Sequence, residues 1–318
     1  MPSQPTNTYD TYDGANATRE DLHNIIYDIS PTETPVLSMA AQGKATATLH
    51  EWLTDELEAA STANARIEGE DKDGTAITAP SRLTNYTQIS DKVVVLSGTE
   101  QSVDNVGGDE LGRQVARRAL ALKRDMEAII TGNQAAVAGD NTTARKLRSL
   151  EAWYVTANSS RGTGGSAGTT TQAATDATTG DLRAIRESHL KDVLQKVWTS
   201  GGMPDTIVAG AVNKQRISGF AGNANRIKDA DDGELVAAID VYSSDFGFAL
   251  KVVPNRFSRA RTVHVIQSDM LSIDYLRRFN DTPLAKTGDS EKRLLLAEYT
   301  LRVNNPNAHG VIADLSVS

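Results

Sequence analysis

The chain has 318 residues, 39% hydrophobic and 23% charged, ordinary values for a globular protein long enough to bury its own core. It contains no cysteine, which excludes disulfides and thiolate chemistry and fits a reducing compartment such as a cytoplasm. The net charge of −8 is concentrated: residues 1–80 carry fourteen acids against four bases and the rest 27 against 29, so electrostatic nucleic-acid binding is not the expected main task.

Residues 1–17 are polar, with no apolar stretch that would read as a secretory leader, and little order is expected there in a free subunit. Thr18 and Asp21 then form a capping box ahead of Leu22, Ile25, Ile26 and Ile29, the spacing of a short amphipathic helix that Pro31 ends. So short a helix on an arm is marginal alone and needs a docking surface, on its own body or on a neighbour.

Residues 46–54, which include Trp52, and 83–97 read as two strands. The polar stretch between them carries Glu58, Glu68, Glu70, Asp71 and Asp73 and is too long for a turn, so the whole reads as a long two-stranded finger. Such a finger is barely stable by itself and needs outside support. The longest apolar run, Val93–Leu96, is strand-sized, and no membrane span is expected.

Asp109 is placed to cap the clearest helix. Leu111, Val115, Ala119, Leu122, Met126 and Ile129/Ile130 form its apolar stripe, and it ends at Gly132 or Gly139. Its other faces carry Arg113, Arg117, Arg118, Lys123 and Arg124, followed by Arg145, Lys146 and Arg148. A Gly/Ser/Thr/Ala-rich linker covers 157–180. A second helix is expected from a cap at Asp181, with Leu182, Ile185, Val193, Leu194 and Val197 on one face and a stop at Gly201-Gly202. Then follow a strand at Thr206–Ala209, a short helix near 212–219, strands near 235–242, 246–253 and 262–275, a strand over 294–301 and a last one near 311–317. The class is α+β.

Chemistry finds little footing. The five histidines (His23, His50, His189, His264, His309) lie far apart with no metal-ligand spacing. Gly162-Thr163-Gly164-Gly165-Ser166-Ala167 matches a loose dinucleotide loop, but no helix pattern follows it to face a pyrophosphate. Ser188-His189-Leu190-Lys191 with Lys286-Thr287-Gly288 matches two elements of penicillin-recognising serine hydrolases, yet the expected cap puts Ser188 in mid-helix and no SDN element lies between them. Two basic–aromatic clusters, Asn255–Arg261 and Tyr275–Phe279, could touch phosphates or equally end strands. No catalytic constellation survives.

The stretch Asp21–Pro35, with Ile29-Ser30-Pro31-Thr32-Glu33-Thr34-Pro35 as an "I-x-P-x-x-T-P" arm, resembles the opening of one branch of the tailed-phage major capsid proteins of the Hong Kong 97-like fold. The order of arm, finger, spine helix, second lobe and returning strands extends that resemblance over nearly the whole chain. It implies an N-terminal arm at 1–45, an E-loop at 46–98, a P-domain with the spine helix at 99–156, an A-domain at 157–281, and C-terminal strands at 282–318 that return to the P-domain. It also implies a homo-oligomer of hexamers and pentamers closing an icosahedral shell in the virion, made in the host cytoplasm. Packaged double-stranded DNA would be touched non-specifically. Scaffold, portal and cement proteins are further partners it allows, and no catalytic residue, metal or cofactor is implied.

Finger residues 50–80 hold eight acids and two bases, so the acidic finger of one subunit is expected on the basic spine of its neighbour. The candidate contacts are Glu58, Glu68, Glu70, Asp71, Asp73, Arg113, Arg117, Arg118, Lys123 and Arg124, with Ile25, Ile26, Ile29 and Trp52. Two alternatives stay open: another self-associating virion component, such as a tail or connector protein, and a serine hydrolase using Ser188 and Lys191.

Overall fold

The computed structural model describes residues 32–58, 60–65, 67–69, 74, 77, 79–103, 108–168, 176–220 and 241–317. The helix expected around Leu22 to Ile29 lies outside them, as do Glu70, Asp71 and Asp73.

Pro35 opens the short helix α1 (Pro35–Met39), a position where its missing N–H is no loss, and β1 (Ala41–Lys44) follows at once. β2 (Leu49–Thr54) pairs antiparallel with β3 (Ser81–Tyr86), from Leu49 opposite Tyr86 to Thr54 opposite Ser81. The expected second finger strand over 83–97 is broken. Thr87 is fully buried, donating its N–H to Thr48 O and its hydroxyl to Glu298 Oε1, and the chain changes sheet there. β4 (Gln88–Ser97) therefore leaves the hairpin and pairs antiparallel with residues 290–299.

After the one-turn helix α2 (Gly98–Ser102), the spine helix α3 runs over Glu110–Ile130. Asp109 caps it as expected, its carboxylate accepting the Gly112 N–H at 3.0 Å. Leu122, Met126 and Ile130 are fully buried, and Val115, Ala119 and Ile129 pack half-buried against the same core. α4 (Leu150–Trp153) and the two-residue β5 (Ser159–Ser160) come next. The second long helix, α5 (Glu187–Thr199), begins at Glu187 rather than after Asp181. Residues 181–186 cannot coil because they are tied elsewhere: the Asp181 N–H donates to Thr163 O, and Arg183 bridges to the C-terminal segment at Leu315.

β6 (Thr206–Ala209), α6 (Ala211–Ser218), β7 (Val241–Ser243), β8 (Ala249–Pro254) and β9 (Val263–Ile266) complete this lobe, with β12 (Gly310–Ile312) returning from the C-terminal end. The strand expected over 262–275 is interrupted by a turn at Ser268–Met270, after which β10 (Leu271–Pro283) and β11 (Ser290–Val303) form a long hairpin. The sequence does not announce β10's outer half, since Arg277–Pro283 is exposed on both faces and is held by its ladder to β11.

Two sheets organise these elements. The six-stranded sheet runs β5-β12-β9-β6-β8-β7. It is apolar on both faces: Val208, Ile266 and Val311 face the core of Trp153 and Tyr154, while Ile207, Val265 and Ile312 face the core that holds Val193 and Leu194 of α5 and Ile217 of α6. The four-stranded sheet runs β1-β10-β11-β4, with β1 parallel to β10, and α3 packs across one face of it. The α+β class is as expected.

Candidate assembly interface

The β2–β3 hairpin is anchored inside its own subunit. Trp52, expected at an inter-subunit contact, donates its indole N–H to Val303 O at 2.9 Å and packs its ring on Trp153, 5.5 Å between centroids. Asn85 is buried, its amide donating to Leu301 O and Arg148 O and its carbonyl accepting the Arg148 N–H. His50 Nε2 lies 2.8 Å from Asp274, whose carboxylate also accepts from Ser272 and faces Arg302. Burial opposes ionisation of Asp274, but the hydrogen bonds from His50 and Ser272 and the Arg302 charge hold its carboxyl below the usual range. The root of the finger, Trp52 included, thus has partners within its own subunit.

Toward and beyond Thr54 and Ser81 the anchoring thins. Leu53 is 64% exposed, Ile67 78%, Ile77 96% and Leu57 fully. Glu58 and Glu68 are exposed alongside them, while Glu56 accepts from the Asn307 side chain at 2.7 Å. A second apolar surface lies on β4. Residues 88, 90, 92, 94 and 96 turn toward α3, with Val94 buried and Lys92 paired to Asp125 at 2.6 Å. The alternate residues Ile89, Val93 and Val95 point the other way and are 45%, 41% and 56% exposed. The continuous apolar run Val93–Leu96 is thus covered on one side only.

The spine's cations do not act as one set. Arg113 is bidentate to Glu110 one turn earlier, and Arg124 stacks over Phe257 at 5.1 Å. Arg117, Arg118 and Arg124 line a groove of about 250 Å³ with Gln114, Leu120 and Thr32, and Lys123 is exposed beside a second groove with Tyr275 and Arg278. Arg145 stays half-exposed, and Arg148 leaves the surface. Arg145 bonds Glu298 at 2.6 Å, and Arg148 is fully buried over Trp153, where desolvation lowers its pKa to about 10.

The rejected motifs find structural uses. Gly162 donates its N–H to Asp314 at 3.0 Å, and Gly164 adopts φ +80° in an exposed turn, so the glycine loop is a turn tied to the C-terminal segment. Ser188 sits in the first turn of α5, not in mid-helix, and is exposed. Lys191 lies 3.3 Å from Glu187 and 3.6 Å from Asp245; hydrogen bonding to Glu187 and the charge of Asp245 raise its pKa, which suits an ion pair and not a base. Lys286–Gly288 lies in the β10–β11 turn. In the basic–aromatic clusters, Arg259 bonds Glu151, Arg277 bonds Glu298, and Asn255 bonds Glu127. Among the described residues no cluster could hold a metal ion, and no helix is long and apolar enough to cross a membrane.

The described residues thus present a self-anchored finger root, an exposed apolar and acidic tip and an edge strand with one apolar face uncovered. The family model described as SU10 major capsid protein matches residues 4–316. The chain belongs to the SU10 major capsid protein family. It is 26% identical to the major capsid protein of Escherichia phage Phieco32, covering 93% of this chain and 94% of that one. Among solved structures, a chain of Mycobacterium phage Bobi superposes with TM-score 0.62 at 16% identity, covering 97% and 99% of the two chains. A chain from the capsid of cyanophage P-SCSP1u gives 0.60 at 10% identity, covering 100% and 99%. The fold of this SU10-family capsid protein is therefore the Hong Kong 97-like capsid fold that the arm motif implied. As a major capsid protein it assembles with its own copies into the head shell of a tailed phage, and the virion is its place.

Proposed function

We propose that neighbouring subunits join chiefly through the finger: residues 46–98 act as the E-loop, and its acidic tip lies on the basic face of the next copy's α3. The observation that carries this reading is the full exposure of Leu57 and near-full exposure of Ile77, with Glu58 and Glu68 also exposed, a surface the described residues leave bare. Arg117, Arg118, Lys123 and Arg124 are the receiving cations on this reading, and complementary patches set register more than they add affinity. Residues 1–45 would serve as the arm, 99–156 with 282–318 as the P-domain, and 157–281 as the A-domain around the symmetry axes of hexamers and pentamers. Double-stranded DNA would be enclosed without base readout, and scaffold, portal or cement proteins would meet the same shell. The chain would do no catalysis, since Lys191 is committed to two carboxylates.

Reversing Arg118, Lys123 and Arg124 together to glutamate tests the pairing by electron microscopy of the assembled protein. Loss or misdirection of shells is expected; normal yield and shape would refute it. The exposed row Ile89, Val93 and Val95 supports a second reading, in which the tip's apolar side chains cover that row instead. Shells that survive the arginine reversal but not Val93→Ser with Val95→Ser would favour it.

A further inference from the structure

Glu127 interrupts the apolar stripe of α3 between Met126 and Ile130 and is fully buried. A lone carboxylate there is costly unless its oxygens are filled. They are. Oε1 accepts the Val36 N–H at 2.9 Å and the Asn255 side-chain amide at 2.6 Å, and Oε2 accepts the Leu37 N–H at 2.9 Å. These donors belong to two separate parts of the chain, the arm at α1 and the segment after β8, and Glu127 joins both to the spine. They also need Glu127. The first N–H groups of a helix have no partner within it, and Thr34 supplies no side-chain cap to α1.

We propose that Glu127 is the positioning residue of the N-terminal arm, its ionised carboxylate fixing α1 to the spine helix and, through Asn255, to the second lobe. Only a carboxylate suits the site, because it accepts at both oxygens and donates at neither. A glutamine of the same size must turn its NH2 group toward one of the donors, and a protonated glutamate likewise brings a hydrogen to a place that needs a lone pair. Burial raises the pKa of Glu127 against the pull of the Leu37, Val36 and Asn255 hydrogen bonds, so mild acid reaches it before ordinary carboxylates. All three donors are neutral. The charged groups on the elements packed here are Lys123 and Arg124 one turn earlier on α3, Arg256 next to Asn255, and Glu33 just ahead of α1, with Arg124 engaged over Phe257. The seat of the arm therefore depends on the proton at Glu127.

Amide hydrogen exchange on the full unassembled chain tests this, with rates corrected for intrinsic pH dependence. In Glu127→Gln at about pH 7.5, protection at Val36 and Leu37 should fall at least about tenfold, the equivalent of one hydrogen bond to a charged group, while β10 stays protected. Wild type titrated downward from about pH 7.5 should show the same local loss as Glu127 takes up its proton, a step that Glu127→Gln should lack. Asn255→Ala should keep α1 protected and loosen only residues 255–258. Unchanged protection at Val36 and Leu37 in Glu127→Gln would overturn the proposal, as would an equal pH response in both proteins. Should Glu127→Gln lose protection throughout, the wild-type pH series decides alone, and a pH-independent α1 refutes the proposal.

Discussion

His50 Nε2 and the Asp274 carboxylate lie 2.8 Å apart, joining the first strand of the finger to β10 across 224 positions of sequence. Asp274 is buried and also serves Ser272 and Arg302, so its removal strands three polar partners. Asp274→Ala should cost about 3 kcal/mol, read as a shift in urea midpoint of the unassembled chain. Gly43 sits against the same carboxylate, where an added Cβ would overlap it, so Gly43→Ala should also destabilise. A Gly43→Ala protein as stable as wild type would remove the close approach from the account.

Trp52 separates packing from hydrogen bonding. Trp52→Phe loses the bond to Val303 O and should cost roughly 1 kcal/mol, whereas Trp52→Ala also empties the contact with Trp153 and should cost about 3 kcal/mol. Equal losses would mean that the ring contact contributes nothing.

Three consecutive valines on β4 should respond differently. Val94→Ala opens a buried site and should cost roughly 2 kcal/mol in the free subunit. Val93→Ser and Val95→Ser touch exposed positions, so free-subunit stability should hardly move while solubility rises and assembly weakens. Sedimentation of wild type and variants under assembly conditions provides the check.

The free subunit should weaken in acid through two buried histidines. Burial lowers the pKa of His264 to about 3 and of His309 to about 4. An unfolded chain takes up these protons below about pH 6.5, the folded one only below those lowered values, so the unfolded state gains as pH falls. Stability should be full above that pH and drop by up to about 1.4 kcal/mol per histidine for each unit below it, until the folded pKa is reached. A urea midpoint equal at about pH 7, above this window, and at about pH 5, inside it, would show that the histidines do not carry it.

Local signals in the sequence were enough for some features. Asp109 with the 3.6-residue stripe from Leu111 to Ile130 specified the spine helix and its cap, because cap chemistry and periodicity act over a few residues. The Thr34-Pro35 pair and its surroundings carried the family, and the acidic bias of residues 50–80 marked an exposed tip. What the sequence could not fix was partnership over long separations. The turn of the chain out of the finger at Thr87 depends on Glu298, and the start of α5 at Glu187 depends on ties to Thr163, Asp314 and Leu315. Glu127 read as one polar residue in an apolar stripe, and only the arrival of Val36, Leu37 and Asn255 at its oxygens makes it a joint. Periodicity and caps are properties of neighbouring residues, so the sequence determines them; hydrogen bonds between segments some 90 to 210 residues apart exist only once the chain has closed on itself.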